Sequence, residues 1–142
     1  MKLDITFIKI TQNEEHLIYL YESLINREFN VSNIKIPSFD EHKNFVLNHP
    51  YRVWVIIKIS QKSVGTIYIQ RDNTIGLHVD KNCSKFIPKI LKEILQKWSP
   101  LPAIKSVRSN KFLINVASQD YSTARTLEKF GAKKIQTTYR FD

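Results

Sequence analysis

The sequence predicts an α+β domain, a mixed but mostly antiparallel sheet flanked by helices on both faces, and three observations carry that expectation. Three runs rich in β-branched residues lie between positions 53 and 79, separated by short turn signals, which is the pattern of an antiparallel meander. Apolar residues at helical spacing mark two segments before that meander and two after it. Strand-like runs open and close the chain, giving the order strand, two helices, three strands, helix, strand, helix, strand. With 142 residues, 42% of them hydrophobic and 25% charged, and no repeat, linker or low-complexity stretch, residues 1–142 are expected to form one domain around one core.

Each element has its own justification. Thr6-Phe7-Ile8-Lys9-Ile10 reads as the first strand. Thr11 or Asn13 can cap a helix that begins at Glu14 and Glu15, where acidic side chains suit the positive helix end. Leu17, Leu20, Tyr21 and Leu24 line one face of it, and it fades near Asn26. Residues 30–37 read as loop, with Pro37 holding Ile36 extended. Ser38 and Glu41 have the spacing of a capping box, and Phe39, Phe45 and Val46 give the second helix its apolar face before Asn48-His49-Pro50 closes it. Val53-Trp54-Val55-Ile56-Ile57-Lys58-Ile59 is a buried strand, followed by a turn at Gln61-Lys62-Ser63, a strand over 64–70, a turn at Asp72-Asn73 and a strand over 75–79. The third helix spans 85–98, with Pro88 tolerated in its first turn and Pro100 and Pro102 beyond its end. A strand over 112–116, a helix over 122–130 stopped by Gly131, and a final strand over 135–141 complete the order.

Composition excludes several function classes. No apolar run approaches the roughly 20 residues of a membrane helix, and the first residues lack the apolar core of a secretory signal. The single cysteine, Cys83, forbids an internal disulfide and fits a reducing cytoplasm, and no Cys/His cluster has metal spacing, so no metal is expected. Net charge is +9, from 22 Lys+Arg against 13 Asp+Glu. That surplus attracts polyanions. Nucleic acid ranks last, because no helix carries a dense basic stripe beside exposed aromatics.

The C-terminal third is the most specific part. Phe112-Leu113-Ile114-Asn115-Val116, a polar break, then Ala124-Arg125-Thr126-Leu127-Glu128-Lys129-Phe130-Gly131-Ala132 resembles the N-V-x-x-x-N-x-x-A/S-x-x-x-Y/F-E-K-x-G-F pattern of the GNAT family of N-acetyltransferases, and the element order matches that family along nearly the whole chain. Pro37-Ser38-Phe39-Asp40-Glu41-His42, followed by Asn48-His49-Pro50-Tyr51-Arg52-Val53-Trp54, is similar to a subgroup of small acyltransferases, some of which act on amino sugars.

The resemblance implies a site. Leu77, His78 and Val79 of the fourth strand would border the pantetheine and the thioester carbonyl, and Ser84, Lys85, Phe86 and Ile87 would open the next helix at the pyrophosphate, with Lys81 and Lys89 as further countercharge. Asn115 and Thr123 would reach CoA, while Asp120 would cap the last helix. Glu41, His42 and Tyr68 would shape the acceptor pocket, and His78, Tyr139 and Asn115 are the candidates for the chemistry. Two departures stand out. The family's Q/R-x-x-G-x-G/A loop is replaced by Asp80-Lys81-Asn82-Cys83-Ser84-Lys85, which has no glycine, and Leu127 stands where many members carry the tyrosine that protonates the leaving thiolate. The expectation is therefore a cytoplasmic acetyltransferase, monomeric or homodimeric, that moves acetyl from acetyl-CoA to a primary amine of a small molecule, an amino sugar among the candidates. The alternatives are an inactive binding or assembly module of the same fold and a basic nucleic-acid-binding domain.

Overall fold

In the computed structural model, residues 3–27 and 35–142 are described. Residues 30–34 of the expected loop lie outside them. Strand β1 (Ile5–Lys9) leads to helices α1 (Glu14–Ile25) and α2 (Phe39–Leu47). The meander β2 (Val53–Ile59), β3 (Lys62–Ile69) and β4 (Thr74–Val79) follows, then helix α3 (Ile87–Lys97), strand β5 (Leu113–Ile114) and helix α4 (Tyr121–Phe130). The sheet order is β1-β2-β3-β4-β5, antiparallel throughout except for the parallel β4–β5 pair.

Local chemistry sets the helix starts. Asn13, not Thr11, caps α1 by accepting from the His16 N–H at 2.8 Å. At α2 the reciprocal capping box forms, with Ser38 accepting from the Glu41 N–H and Glu41 accepting from the Ser38 N–H. Asp120 caps α4 through the Thr123 N–H, and Gly131, at φ 115°, ends it in a left-handed turn whose next residue, Ala132, donates its N–H to the Leu127 carbonyl. The β2–β3 hairpin turns on Ser60 and Gln61, both at positive φ, one residue earlier than the Gln61-Lys62-Ser63 turn read from the sequence.

Side-chain alternation divides the sheet into two faces. Val55, Ile57, Ile67, Ile69 and Ile75 face α3 and α4, burying Ile87, Ile90, Leu91, Ile94 and Leu127. Ile56 and Trp54 face α1 and α2, with Leu17, Leu20 and Val46. Helices thus cover both faces, and Leu127 is a core residue.

Two strand expectations are corrected. The strand over 112–116 shortens to Leu113–Ile114, because only Thr74 and Ile75 of β4 pair with it. The strand over 135–141 does not form at all: residues 132–142 leave Gly131 with no ladder partner, and every one of them is exposed. A strand pattern needs a neighbouring edge to become a strand, and among the described residues the arm meets none.

Candidate active site

The site begins where β4 and β5 separate. They pair at Thr74–Leu113 and Ile75–Ile114 and then part, so β4 continues through Gly76, Leu77, His78 and Val79 with its β5-side edge unpaired. Leu77, His78 and Val79 are half-buried there. The closed end is held by Asn73, a fully buried residue at the β3–β4 turn. Its side-chain amide donates to the Leu101 carbonyl at 3.0 Å and the Ser109 carbonyl at 2.8 Å, and its side-chain oxygen accepts from the Leu101 N–H at 2.7 Å. Its own carbonyl takes the Leu113 N–H at 3.0 Å. One side chain therefore fixes the loop that delivers β5.

Tyr68 overlies the point of separation. It pairs with Gly76 across the β3–β4 ladder, and its ring lies so close to that glycine that an added Cβ would fall 2.0 Å from Cζ. Cζ carries the hydroxyl, so the phenol stands over β4 just where β5 departs. Tyr51 stacks on Tyr68 with ring centroids 4.2 Å apart and planes 7° from parallel. Trp54 meets Tyr51 edge-on at 5.1 Å, Phe45 and His49 pack against Trp54, and His78 lies 6.3 Å from Tyr68. An aromatic wall thus runs from the end of α2 to the free part of β4, on the sheet face that α1 and α2 cover.

Burial dominates the electrostatics of this wall. It pushes His78 down to about 4, aided by the nearby Arg27 charge, so the imidazole is neutral at physiological pH. Burial raises Tyr51 to about 12 and raises Tyr68, keeping both phenols protonated, with Arg27 opposing the shift in each. Arg27 itself is lowered by burial, and its Nε is buried without a hydrogen-bond partner among the described residues.

The expected anion site looks different from a glycine-built cradle. Residues Lys81–Phe86 form a 3₁₀ segment running directly into α3, with Pro88 in the first turn of the helix. The Cys83 N–H donates to the Asp80 carbonyl at 2.8 Å and the Ile87 N–H donates to the Ser84 carbonyl, so both are spent inside the segment. Ser84 and Lys85 are exposed, Phe86 is half-buried under the Lys85 ammonium at 5.1 Å, and Ile87 is buried in the core. Cationic side chains, rather than a nest of N–H groups, dominate this end of α3.

Solved structures resemble this arrangement. A domain from Methanocaldococcus jannaschii DSM 2661 superposes with a TM-score of 0.73 at 19% identity, covering 96% of this chain and 93% of its own. An aminoglycoside N-acetyltransferase in complex with CoA superposes at 0.62 and 10% identity, covering 100% of this chain and 96% of its own. The chain has the GNAT acyltransferase fold. A dodecameric spermidine N-acetyltransferase from Vibrio cholerae shares the GNAT fold at a TM-score of 0.60 and 12% identity, over 89% of this chain and 78% of its own. No family model matches the sequence, and no curated protein is similar to it by sequence.

Within the GNAT fold, the expected residues separate into four groups. His78 and Tyr68 come together at the opening on the α1–α2 face, while Leu77 and Val79 of the same strand pack on the opposite face against the α3-side core. Asn115 is exposed immediately beyond β5, and Thr123 is half-buried in the first turn of α4. Glu41 and His42 have structural partners instead. Glu41 completes the capping box, and His42 is buried, its Nε2 3.2 Å from the Leu17 carbonyl, tying α2 to α1 beside Tyr21 at 5.2 Å. Tyr139 is 84% exposed on the C-terminal arm, so its own chain does not bring it to β4.

Sequence reasoning missed Arg27, Tyr51 and Asn73. Tyr51 stood in the quoted Asn48–Trp54 run, but only the ring stacking in the folded chain shows that it reaches Tyr68. Asn73 had a turn signal and none for its clamp. A cleft of about 230 Å³ between α1 and the β2–β3 hairpin, lined by His16, Tyr19, Glu22 and Lys58 among others, contains none of the expected residues. The β4 opening, where Tyr68 and His78 meet beside the unpaired strand edge, lies outside the lining of that cleft.

Proposed function

We propose that this protein is an N-acetyltransferase that moves acetyl from acetyl-CoA to a primary amine of a small molecule bound on the α1–α2 side of the sheet. The observation that carries the reading is the unpaired edge of β4 from Gly76 to Val79, opposite a wall containing Tyr68 and His78. The acyl donor enters between β4 and β5. Backbone N–H groups on the free β4 edge stabilise the carbonyl oxygen as it becomes an oxyanion. The neutral amine attacks the thioester carbon directly, forming the C–N bond as the C–S bond breaks, and its surplus proton leaves to water.

Tyr68 is assigned the role that tyrosine fills elsewhere on the last helix: its hydroxyl gives its proton to the departing sulfur, and the phenolate left behind takes a proton back from water before the next turnover. His78 is too weak a base to take a proton from an alkylammonium, since efficient bases have a pKa near the working pH. Its neutral imidazole instead holds an N–H of the entering amine. Lys85 and Lys89, beside the 3₁₀ segment, supply countercharge to the diphosphate. Arg27 supports an acceptor whose remaining part is neutral or anionic rather than a polyamine, because a second cation would meet a guanidinium that no carboxylate neutralises among the described residues. A cytoplasmic location and a soluble amine, amino sugars included, are part of this proposal. That the structural relatives include enzymes named for aminoglycosides and spermidine supports the reaction class.

One observation favours a second reading, a binding or assembly module without catalysis: Cys83 and Ile87 spend their N–H groups inside the 3₁₀ segment. Thermal melting with acetyl-CoA separates the two. A donor that binds only the folded chain at a hundredfold excess over Kd stabilises it by about 2.7 kcal/mol, and an unchanged melting temperature at saturation would sink the enzyme reading. If the donor binds, Tyr68→Phe is expected to lower kcat about a hundredfold or more while KM for acetyl-CoA stays near its original value. Equal turnover by that variant would remove Tyr68 from the mechanism. A panel of acceptors that pairs amino sugar phosphates with polyamines tests the assignment of Arg27.

A further inference from the structure

Arg27 follows the Asn26 cap of α1 and stands beside the aromatic wall. Its Nε is buried and has no hydrogen-bond partner among the described residues. The groups that act on its charge are the Tyr68 and Tyr51 hydroxyls, and its charge acts in turn on His78. Neither phenol offers negative charge, because burial pushes Tyr51 up to about 12 and raises Tyr68. Asp72, the acid that acts on Tyr68, is exposed and accepts the Thr74 N–H at 2.9 Å. A guanidinium keeps its charge even where burial lowers its pKa. Burying such a charge without an opposite one is costly, and a methionine would fill the same space without that cost.

We infer that Arg27 and the Tyr51 hydroxyl form an oxyanion subsite of the acceptor pocket, so that the amine this protein acetylates carries a carboxylate or a phosphate a few bonds from its nitrogen. The inference rests on the acetyltransferase reading above and adds a substrate class to it. The planar fork of a guanidinium matches both anions, and a charge-assisted pair is strongest where water is scarce. Tyr51 supplies a second donor, its ring fixed by the 4.2 Å stack on Tyr68. The spacing follows from shared neighbours. His78, which receives the amine, lies 6.3 Å from Tyr68, and the Arg27 charge reaches both. Anion and nucleophile are therefore received on one short stretch of the wall, which suits a compact amino acid or amino sugar phosphate. The donor's own diphosphate is a poor occupant. It belongs to the start of α3, and α3 packs on the opposite face of the sheet from Trp54 and the wall. An anion at Arg27 thus arrives with the acceptor.

The test compares matched acceptors in the presence of acetyl-CoA: amino acids against their amides, and amino sugar phosphates against the free amino sugars. Each amine has the same intrinsic reactivity toward every variant, so a change in the kcat/KM ratio within a pair reports the subsite. In Arg27→Met the ratio of anionic to neutral member is expected to fall at least about tenfold. Arg27→Lys, which keeps the charge and loses the fork, and Tyr51→Phe are expected to lower it less. The pair with the larger fall tells carboxylate from phosphate. Thermal melting without ligand adds a readout that a structural role would not give: Arg27→Met is expected to melt no lower than the native chain, since it removes a buried charge that the protein itself does not pair. An unchanged ratio, or a clearly lower melting temperature for Arg27→Met, overturns the subsite and leaves the acetyltransferase reading standing. If no acceptor is acetylated, the Tyr51 and Tyr68 ring signals are followed by NMR during titration with acetate and with inorganic phosphate. Saturating shifts that vanish in Arg27→Met keep the subsite while the enzyme reading falls, and rings indifferent to both anions overturn it.

Discussion

Asn73 shows how much one buried polar residue can organise. It adopts a left-handed conformation that asparagine tolerates, and it satisfies two carbonyls and an N–H of the loop between α3 and β5. Replacing it with alanine removes the partner of three backbone groups, two on half-buried Leu101 and one on Ser109, and places a less tolerant residue at φ 72°. Asn73→Ala is expected to cost about 2–4 kcal/mol in urea unfolding. Asn73→Asp keeps the acceptor and loses both donors, so it should also be strongly destabilised. A loss under about 1 kcal/mol in the alanine variant would show that water replaces the clamp. The sequence marks Asn73 as a turn residue, which is correct, but the three partners lie 28 and 36 positions away and leave no trace in local pattern.

Elements were legible where their cause is local. The capping box of α2, the glycine stop of α4, Pro88 at the start of α3 and the bounds of β2 all follow from residues adjacent in sequence. β5 and the terminal arm were not, because a strand exists only through its neighbour: β4 pairs with β5 at two residues, and among the described residues the arm pairs with no strand. The β3–β4 pair carries a test at this scale. Gly76 makes room for the Tyr68 ring, and a methyl group there would collide with Cζ, Cε1 and Cε2 at 2.0 to 2.5 Å. Gly76→Ala is expected to cost about 1–3 kcal/mol and to break the Tyr51–Tyr68 stack, seen as lost near-ultraviolet dichroism. Adding Tyr68→Ala should recover part of that loss, since the collision then has no second party. Additive penalties in the double variant would place the strain elsewhere.

For the molecule as a whole, buried histidines and tyrosines define a stability plateau. His42, His49 and His78 each titrate below the ordinary 6.5 in the folded chain, chiefly through burial, so the unfolded chain binds more protons in that range. Their contribution is complete above pH 6.5 and declines as the pH falls toward about 4, the value for His78. Asp80, whose carboxyl burial raises, offsets part of the loss at the acid end. Tyr51 acts in the other direction: raised to about 12 from 10.0, it costs stability as the pH climbs above 10. Urea midpoints are expected to be level between these limits and to fall on both sides, and His78→Asn should flatten the acid limb. A midpoint that does not move from pH 6.5 to pH 4 would contradict the burial of all three imidazoles. The clamp at the β3–β4 turn has a consequence of its own. Two blades joined at one rivet open by an amount fixed at the rivet, not at their tips. The gap between β4 and β5 is therefore gauged by an asparagine set back from it, and the tips can change their chemistry without resetting the gauge.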